Sequence, residues 1–275
     1  MIEFKNVSLS IDDRQILKNI SMKVLPANTL VIVGGSGSGK TTTLRLILGL
    51  IRPDSGQILI DGKDITKLEE KDMVSIRAKM AFVFQGSALF DSLSVGENVG
   101  YRLWEQGLLD EDAIELKVME SLRFVGLDDI ADHMPAELSG GMKKRVAIAR
   151  ALASHPEVIL YDEPTAGLDP VNTYIIQELI CRLHTKEHVT QVVVTHDIET
   201  AYRVADQLIM IQLGEEVFHG TLDELKASTD VRIQAFLHPE SLLTTPGCLA
   251  HKDESFGLAP EKLKDLPRSK LPRSR

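Results

Sequence analysis

The chain has 275 residues, of which 43% are hydrophobic and 26% are charged, so it is long enough to bury one large core or two modest ones. Its formal net charge of −9 argues against a general nucleic-acid-binding surface, which needs a basic face, and no nucleic-acid partner is expected. The two cysteines, Cys181 and Cys248, lie far apart and lack the spacing of a metal site. Free thiols in a reducing compartment are therefore expected.

The N-terminus and the apolar runs bear on where the chain resides. The sequence MIEFKNVSLS alternates like a β-strand and lacks the apolar stretch of a secretory signal. The longest apolar runs, such as LVIV, VILY and VVV, are far shorter than the ~20 residues that span a bilayer. We therefore expect a cytosolic chain that depends on another protein for any membrane-spanning part.

Short strand patterns alternate with longer helical patterns. Antiparallel strands are predicted from Met1 to about Thr29, and QILIDGKDI indicates a hairpin arm with a turn at Asp61 and Gly62. A helix is predicted to start at Gly39, and another from about Pro170 to Lys186. Buried strands are predicted at residues 30–35, 80–85, 158–161 and 191–194. This alternation is typical of an α/β fold with a parallel sheet.

Two segments depart from that alternation. Residues 86–156 are mostly helical in pattern, with LDEDAIELKVMESLRFVGL as the clearest amphipathic stretch, and we interpret them as an inserted helical subdomain. From about Pro239 the chain is rich in proline, serine and charge and ends in LPRSKLPRSR. We therefore predict one domain over residues 1–238 and a solvated, mobile tail over residues 239–275.

The sequence GGSGSGKT, residues 34–41, fits the phosphate-binding pattern G-x-x-x-x-G-K-[S/T] and lies between a predicted buried strand and a predicted helix. The glycines let backbone N–H groups curl around phosphate oxygens, and the N-terminus of the helix favours their charge. Lys40 would neutralise the outer phosphates, and the Thr41 hydroxyl would hold Mg²⁺. The predicted nucleotide contacts are Gly34, Gly35, Ser36, Gly37, Ser38, Gly39, Lys40, Thr41 and Thr42.

Polar residues follow three further buried strands. Asp162 and Glu163 end the strand VILY, at the edge where open parallel sheets bind ligands. Asp162 would hold Mg²⁺, and Glu163 would polarise the attacking water as general base. His196 ends a third strand; alone it would be read as structural, but its convergence with the other strand ends predicts a catalytic role. Gln85 ends a fourth and could orient water or metal.

The sequence LSGGMKKRVAIARAL, residues 138–152, begins like a helix but opens on two glycines, each of which costs about 1 kcal/mol relative to alanine. Ser139 is expected to cap this helix. A cap does not require Gly140 and Gly141, whereas a phosphate that approaches the backbone does. The basic run from Lys143 to Arg145 opposes the helix dipole, and it either lies near that phosphate or faces water.

These motifs together resemble the ATP-binding-cassette (ABC) ATPases. GGSGSGKT, Gln85, LSGGM, VILYDEP, AGLD and His196 occur in that family's order over about residues 1–225. The resemblance implies a P-loop NTPase with a RecA-like core, an antiparallel β subdomain and a helical insertion. It also implies a head-to-tail homodimer in which Ser139, Gly140 and Gly141 contact the partner's ATP, while Asp169 contacts the partner chain. His196 would contact the γ-phosphate, and Gln85 would link nucleotide to permease.

Two positions depart from the family pattern. Most members have glutamine at the position of Met142, where it completes a capping box with the serine of the motif. The family usually stacks adenine on an aromatic residue near the end of the first strand, and the aligned residue here is Ile11. Tyr101 and Trp104 do not substitute for it. We therefore expect weaker or less selective binding of the base.

The segment FQGSALFDSLSVGENV, together with LSGGM, is similar to the Mla/Mce-type ATPases of lipid transport. That resemblance implies an integral membrane permease, an MCE-domain protein, a possible STAS-domain regulator, and a peripheral position on the cytoplasmic face of the inner membrane. Two alternatives stay open: an ATPase of an amino-acid or other small-solute importer, and a soluble regulatory ABC protein.

Overall fold

The computed structural model describes residues 1–238, and the first compact unit runs from Met1 to Gln234. The predicted tail, residues 239–275, lies outside the described residues. No helix within residues 1–238 is long and apolar enough to cross a membrane.

Ten strands and nine α-helices occur among residues 1–238. The strands are β1 (Ile2–Ile11), β2 (Arg14–Val24), β3 (Thr29–Val33), β4 (Ser55–Ile60), β5 (Lys63–Asp64), β6 (Met80–Val83), β7 (Val158–Asp162), β8 (Thr190–Thr195), β9 (Gln207–Gln212) and β10 (Glu215–Gly220). The helices are α1 (Lys40–Ile47), α2 (Glu70–Arg77), α3 (Val95–Gln106), α4 (Glu111–Phe124), α5 (Gly140–Ala153), α6 (Pro170–Glu187), α7 (Ile198–Val204), α8 (Leu222–Ala227) and α9 (Val231–Leu237), with a 3-10 turn at Pro135–Glu137.

The smaller sheet is antiparallel and has the strand order β2-β1-β4-β5. Asp61 and Gly62 form the predicted turn between β4 and β5, and both have positive φ values, 49° and 80°. Positive φ at both central residues is the geometry that favours Asp-Gly in a two-residue hairpin loop.

The larger sheet has the order β10-β9-β3-β8-β7-β6 and is parallel except for β10, which pairs antiparallel with β9. Every residue of β3, β7 and β8 is buried. Both faces of the sheet are therefore covered, which explains why these strands appear in the sequence as continuous apolar runs. The carboxyl ends of β3, β6, β7 and β8 meet at one edge of the sheet.

Helices α3, α4 and α5 lie between β6 and β7 in the chain and pack against one another. α3 starts at a capping box in which Ser94 accepts from Glu97 N while the Glu97 side chain accepts from Ser94 N. α5 also packs against β6 and α6. The last helix of the predicted insertion therefore contacts the parallel-sheet part as well as its own neighbours.

One hydrophobic core contains side chains from both sheets and from α1, among them Phe4, Ile58, Ile32 and Leu44. Burial of the apolar face of α1 against this core fixes the helix directly after β3. The predicted fold class is confirmed: a parallel α/β core, an N-terminal antiparallel sheet and a helical stretch between β6 and β7.

Candidate functional site

The loop of residues 34–39 joins β3 to α1. A Cβ atom on Gly34 would overlap the carbonyl of Ile211, so packing requires this glycine. Gly35 and Gly37 instead face open space, and Ser36 between them is also exposed. No side chain caps the N-terminus of α1. Its first N–H groups and the outer side of the loop are therefore free to receive an anion.

Lys40 is the first residue of α1 and is buried. Its Nζ donates to the carbonyls of Gly34 at 2.8 Å and Gly35 at 3.1 Å, and lies 3.7 Å from Oε1 of Glu163. The hydroxyl of Ser38 is buried and has no hydrogen-bond partner among the described residues. The loop thus presents a cation and an unsatisfied hydroxyl, both of which suit a phosphate oxygen.

Thr41 and Asp162 bring together α1 and the end of β7, where the Thr41 hydroxyl donates to Oδ1 of Asp162 at 3.0 Å. Burial raises the pKa of Asp162, and the hydrogen bond from Thr41 partly offsets that effect. Hydroxyl and carboxylate oxygens are ligands that Mg²⁺ prefers, and Mg²⁺ usually takes its other ligands from phosphate and water. The pair fits that ion. Thr42, the next residue, is half-buried.

Glu163 has a left-handed backbone, with φ at 48°, directly after β7. Its N–H donates to Val194 O at 2.9 Å, which ties the residue to the neighbouring strand β8. Non-glycine residues seldom adopt this conformation, and such strain clusters at functional sites. The bend turns a buried carboxylate toward the strand end instead of continuing the strand.

The Glu163 carboxylate is held by the residues that end β8. Oε2 accepts from the Thr195 hydroxyl at 3.1 Å and from the backbone N–H of His196 at 3.3 Å, and it lies 2.9 Å from His196 Nδ1. The His196 ring is largely exposed, whereas Glu163 is buried. The structure therefore brings the predicted base and the predicted histidine into direct contact. Sequence reasoning gave Thr195 no role.

Gln85 lies two residues beyond the end of β6, because the predicted strand 80–85 stops at Val83. Its side chain is exposed and makes no hydrogen bond to any residue within 1–238. The structure thus gives the predicted metal role of Gln85 no protein contact. Its backbone carbonyl is nevertheless held by Nζ of Lys144.

Of the two alternatives for the basic run Lys143 to Arg145, a position in water does not hold for Lys144 and Arg145. Lys144 is buried and donates to the carbonyls of Gln85 and, at 3.2 Å, Glu163. Arg145 is half-buried and donates to the carbonyls of Val125 and Gly126. A sequence signal was available, because Lys144 falls at helical spacing between the buried residues at 141 and 148.

Ser139 caps α5 as predicted: its hydroxyl accepts from Met142 N at 3.3 Å. The two glycines that follow differ in environment. A Cβ on Gly140 would meet nothing within 4 Å, whereas a Cβ on Gly141 would overlap the amide of Asn172 in the same chain. Gly141 therefore has an intrachain packing reason that Gly140 lacks, in addition to the predicted phosphate contact. Gly140 keeps an open face.

Asp169 caps α6: its carboxylate accepts from the backbone N–H groups of Val171 and Asn172, both at 3.0 Å, and from the Asn172 side chain at 2.5 Å. The hydrogen bonds from Asn172 lower the pKa of Asp169. Asn172 thus links the start of α5, at Gly141, to the predicted partner-contacting loop.

Ile11, at the predicted adenine position, is exposed at the end of β1.

Replacing Gly141 with alanine is expected to lower the free energy of unfolding by about 1–3 kcal/mol, because the methyl group must displace the Asn172 amide. Gly140→Ala is the matched control and should be neutral or stabilising by up to about 1 kcal/mol, since the site is open and alanine favours helix. Denaturant unfolding measures both. Adding Asn172→Ala should restore the stability of Gly141→Ala; an equal loss in both glycine variants would contradict the assignment.

A model of the ABC transporter family matches residues 17–166, which is more than half of the chain. The matched span includes the loop 34–39, Gln85, the residues 139–141 and the pair Asp162 and Glu163. This chain belongs to the ABC transporter family. It is an ATP-hydrolysing subunit, and its nucleotide is ATP with Mg²⁺.

The chain is similar to two transport ATPases and to one solved ATP-binding cassette. The intermembrane phospholipid transport ATP-binding protein MlaF of Haemophilus influenzae is 40% identical over 241 residues, which are 88% of this chain and 91% of that protein. The methionine import ATP-binding protein MetN of Carboxydothermus hydrogenoformans is 38% identical over 82% of this chain and 67% of that protein. The ATP-binding cassette MJ0796, solved as a dimer with ADP and Pi, has a TM-score of 0.74 and 35% identity over 81% of this chain and 99% of that chain.

Proposed function

We propose that this ATPase drives phospholipid transport between membranes through a separate permease. The observation that carries the proposal is the 40% identity to MlaF over 88% of the chain. The similarity to MetN is nearly as high, so a methionine or other small-solute importer is the alternative. LSGGM and the segment FQGSALFDSLSVGENV favour the lipid system, because they resemble the Mla/Mce-type ATPases.

The site residues support an in-line attack of water on the γ-phosphate. Glu163 accepts the proton of the attacking water, and the hydrogen bonds from Thr195 and His196 hold its carboxylate in one orientation. Lys40, whose Nζ lies at the carbonyls of the phosphate loop, binds the outer phosphates of ATP. Thr41 and Asp162 would hold Mg²⁺, which would supply positive charge to the phosphate oxygens.

We further propose that each ATP lies between the phosphate loop of one chain and Ser139, Gly140 and Gly141 of a second copy. A Cβ on Gly140 would meet no atom within 4 Å among residues 1–238, so this side of the helix N-terminus is open to an external phosphate. Ser139 adds a hydroxyl at the same helix N-terminus. Asp169 lies close to this face through Asn172, which suits its proposed contact with the partner.

A groove of about 540 Å³ supports a permease as partner. Three exposed aromatic residues line it: Phe84, which directly precedes Gln85 in the chain, Phe90 and Tyr101. The Phe90 and Tyr101 rings lie 4.7 Å apart. Exposed aromatic side chains around a concave surface are typical of protein docking sites. A segment of the permease would occupy this groove, close in the chain to Gln85, which is predicted to link nucleotide and permease.

The proposal extends to the remaining parts of the system. An MCE-domain protein on the far side of the membrane would supply or accept the lipid, and a small STAS-domain protein could regulate the ATPase. The chain would then lie peripherally on the cytoplasmic face of the inner membrane. We also propose that residues 1–238, with the helical subdomain at about 86–156, form the ATPase domain.

Purification from native membranes, followed by reconstitution into vesicles, tests the proposal. We expect an integral membrane protein to co-purify, and ATP to drive transfer of a fluorescent phospholipid. The same complex with Glu163→Gln is the control and should transfer none. ATP-dependent accumulation of labelled methionine without lipid transfer would contradict the lipid assignment. Absence of any membrane partner would favour the soluble regulatory alternative.

A further inference from the structure

Lys144 is an unusual buried cation in the second turn of α5. Its side chain is 5% exposed, and the hydrogen-bond partners of Nζ are the backbone carbonyls of Gln85 and Glu163 rather than carboxylates. Burial lowers the pKa of Lys144, and the charges of Asp162 and Glu163 partly offset that effect. Burying an ammonium group is costly, so a purely structural contact would be met more cheaply by a neutral side chain.

The two carbonyls occupy equivalent places in the sheet. β6 and β7 are paired in parallel, and the last pair of their ladder is Val83 with Tyr161. Gln85 and Glu163 each lie two residues beyond that pair, where the strands have separated. The ammonium group therefore joins the two chain segments two residues beyond the last pair of the ladder.

A second cation of α5 holds the rest of the same segment. The Arg150 guanidinium donates to Ser87 O at 2.9 Å and Ala88 O at 2.8 Å. Ser87 and Ala88 both have left-handed backbones, with φ at 64° and 48°. Side chains of α5 therefore donate hydrogen bonds to three carbonyls within residues 85–88. Of the two side chains, only Lys144 also donates to the backbone of Glu163.

We propose that Lys144 is a positioning residue of the ATPase, which fixes the backbone of Gln85 relative to that of Glu163. Ala88 and Phe84 line the groove on either side of residues 85–87, so a displacement of this segment then shifts the carboxylate that activates water. The proposal rests on the proposed roles of Glu163 and Gln85. It assigns to Lys144 the connection between the groove and the hydrolytic base, and it involves no contact between Lys144 and nucleotide.

Steady-state ATPase assays on the full chain test this. Lys144→Met keeps a long apolar stem but removes the donors, and is expected to lower kcat about tenfold while the KM for ATP changes less than about twofold, because only the base is misplaced. Lys144→Arg keeps charge and donors and should retain most of the kcat. Lys143→Met is the matched control, since this half-buried neighbour has no side-chain hydrogen bond among residues 1–238.

Four comparisons separate the outcomes. A kcat for Lys144→Met equal to that of Lys143→Met would overturn the proposal, as would equal losses for Lys144→Met and Lys144→Arg. If Lys144→Met does not fold, Lys144→Gln is the second variant, because its shorter amide reaches at most one carbonyl; wild-type kcat in that variant would overturn the proposal. Glu163→Gln with wild-type turnover would instead refute the role of Glu163.

Discussion

Replacing Glu163 with glutamine is expected to lower ATP turnover by about 10²–10⁴-fold, the range that a positioned general base contributes. Glutamine keeps the shape of the side chain and can still accept a hydrogen bond from the Thr195 hydroxyl, so the fold and the strand end should be preserved. It has no charge with which to take a proton from water. The loss should therefore appear in kcat.

The same variant should bind ATP with affinity within a few-fold of wild type, because the groups that would hold the phosphates, Lys40 and the loop 34–39, are unchanged. In the presence of ATP and Mg²⁺ it should accumulate as a dimer, detectable by gel filtration with light scattering. Glu157→Gln is a matched control, since Glu157 is exposed and pairs with Lys79 away from the site. Wild-type turnover in Glu163→Gln would refute the assignment of the base.

The parallel sheet and the phosphate loop could be predicted from the sequence because their signals are local. A fully buried strand reads as a continuous apolar run, and the glycine pattern after it encodes its own geometry. The four strand ends could also be placed at one edge of the sheet, because the carboxyl ends of parallel strands lie at the same edge.

The long-range contacts around Glu163 could not be predicted in this way. The hydrogen bond between Thr195 and Glu163 depends on the left-handed backbone at Glu163. The sequence gives no sign of that conformation, because the residue is not a glycine. The fit between Gly141 and Asn172 depends on how α5 meets α6. A glycine can make room either for a ligand or for a neighbouring side chain, and the sequence does not say which. Only the three-dimensional structure distinguishes Gly140 from Gly141.

Lys144 illustrates a second limit. Charged residues are mostly exposed, so the default interpretation of a basic run places it in water. Burial of one lysine in that run follows from the packing of α5 against β6, which is a tertiary property. The helical spacing of Lys144 with the buried face was the one local sign of it.

The sharing of each ATP between two chains predicts the second large effect. Lys40→Met removes the cation of the phosphate loop, and Gly140→Glu places a negative charge at the open helix N-terminus. The fold should tolerate Gly140→Glu, because the position has no neighbour and an acidic residue suits the first turn of a helix. Binding of the γ-phosphate should be lost, because the added carboxylate and the phosphate carry like charges that repel.

In a head-to-tail dimer, the number of intact ATP sites depends on whether the two changes are on different chains or on the same chain. When Lys40→Met is on one chain and Gly140→Glu is on the other, both changes fall on the same ATP site, and the second site stays intact. When both changes are on one chain, one ATP site has the altered phosphate loop and the other has the altered helix N-terminus, so neither site is intact. If each chain completed its own site, the two arrangements would exchange their outcomes.

The direct measurement is the amount of ATP retained per dimer after rapid desalting, with Glu163→Gln in both chains to prevent hydrolysis and two different tags to purify each mixed dimer. Head-to-tail sharing predicts one ATP retained when the changes are on separate chains and none when they are on the same chain. Retention of ATP only by the dimer that carries both changes on one chain would contradict the shared site.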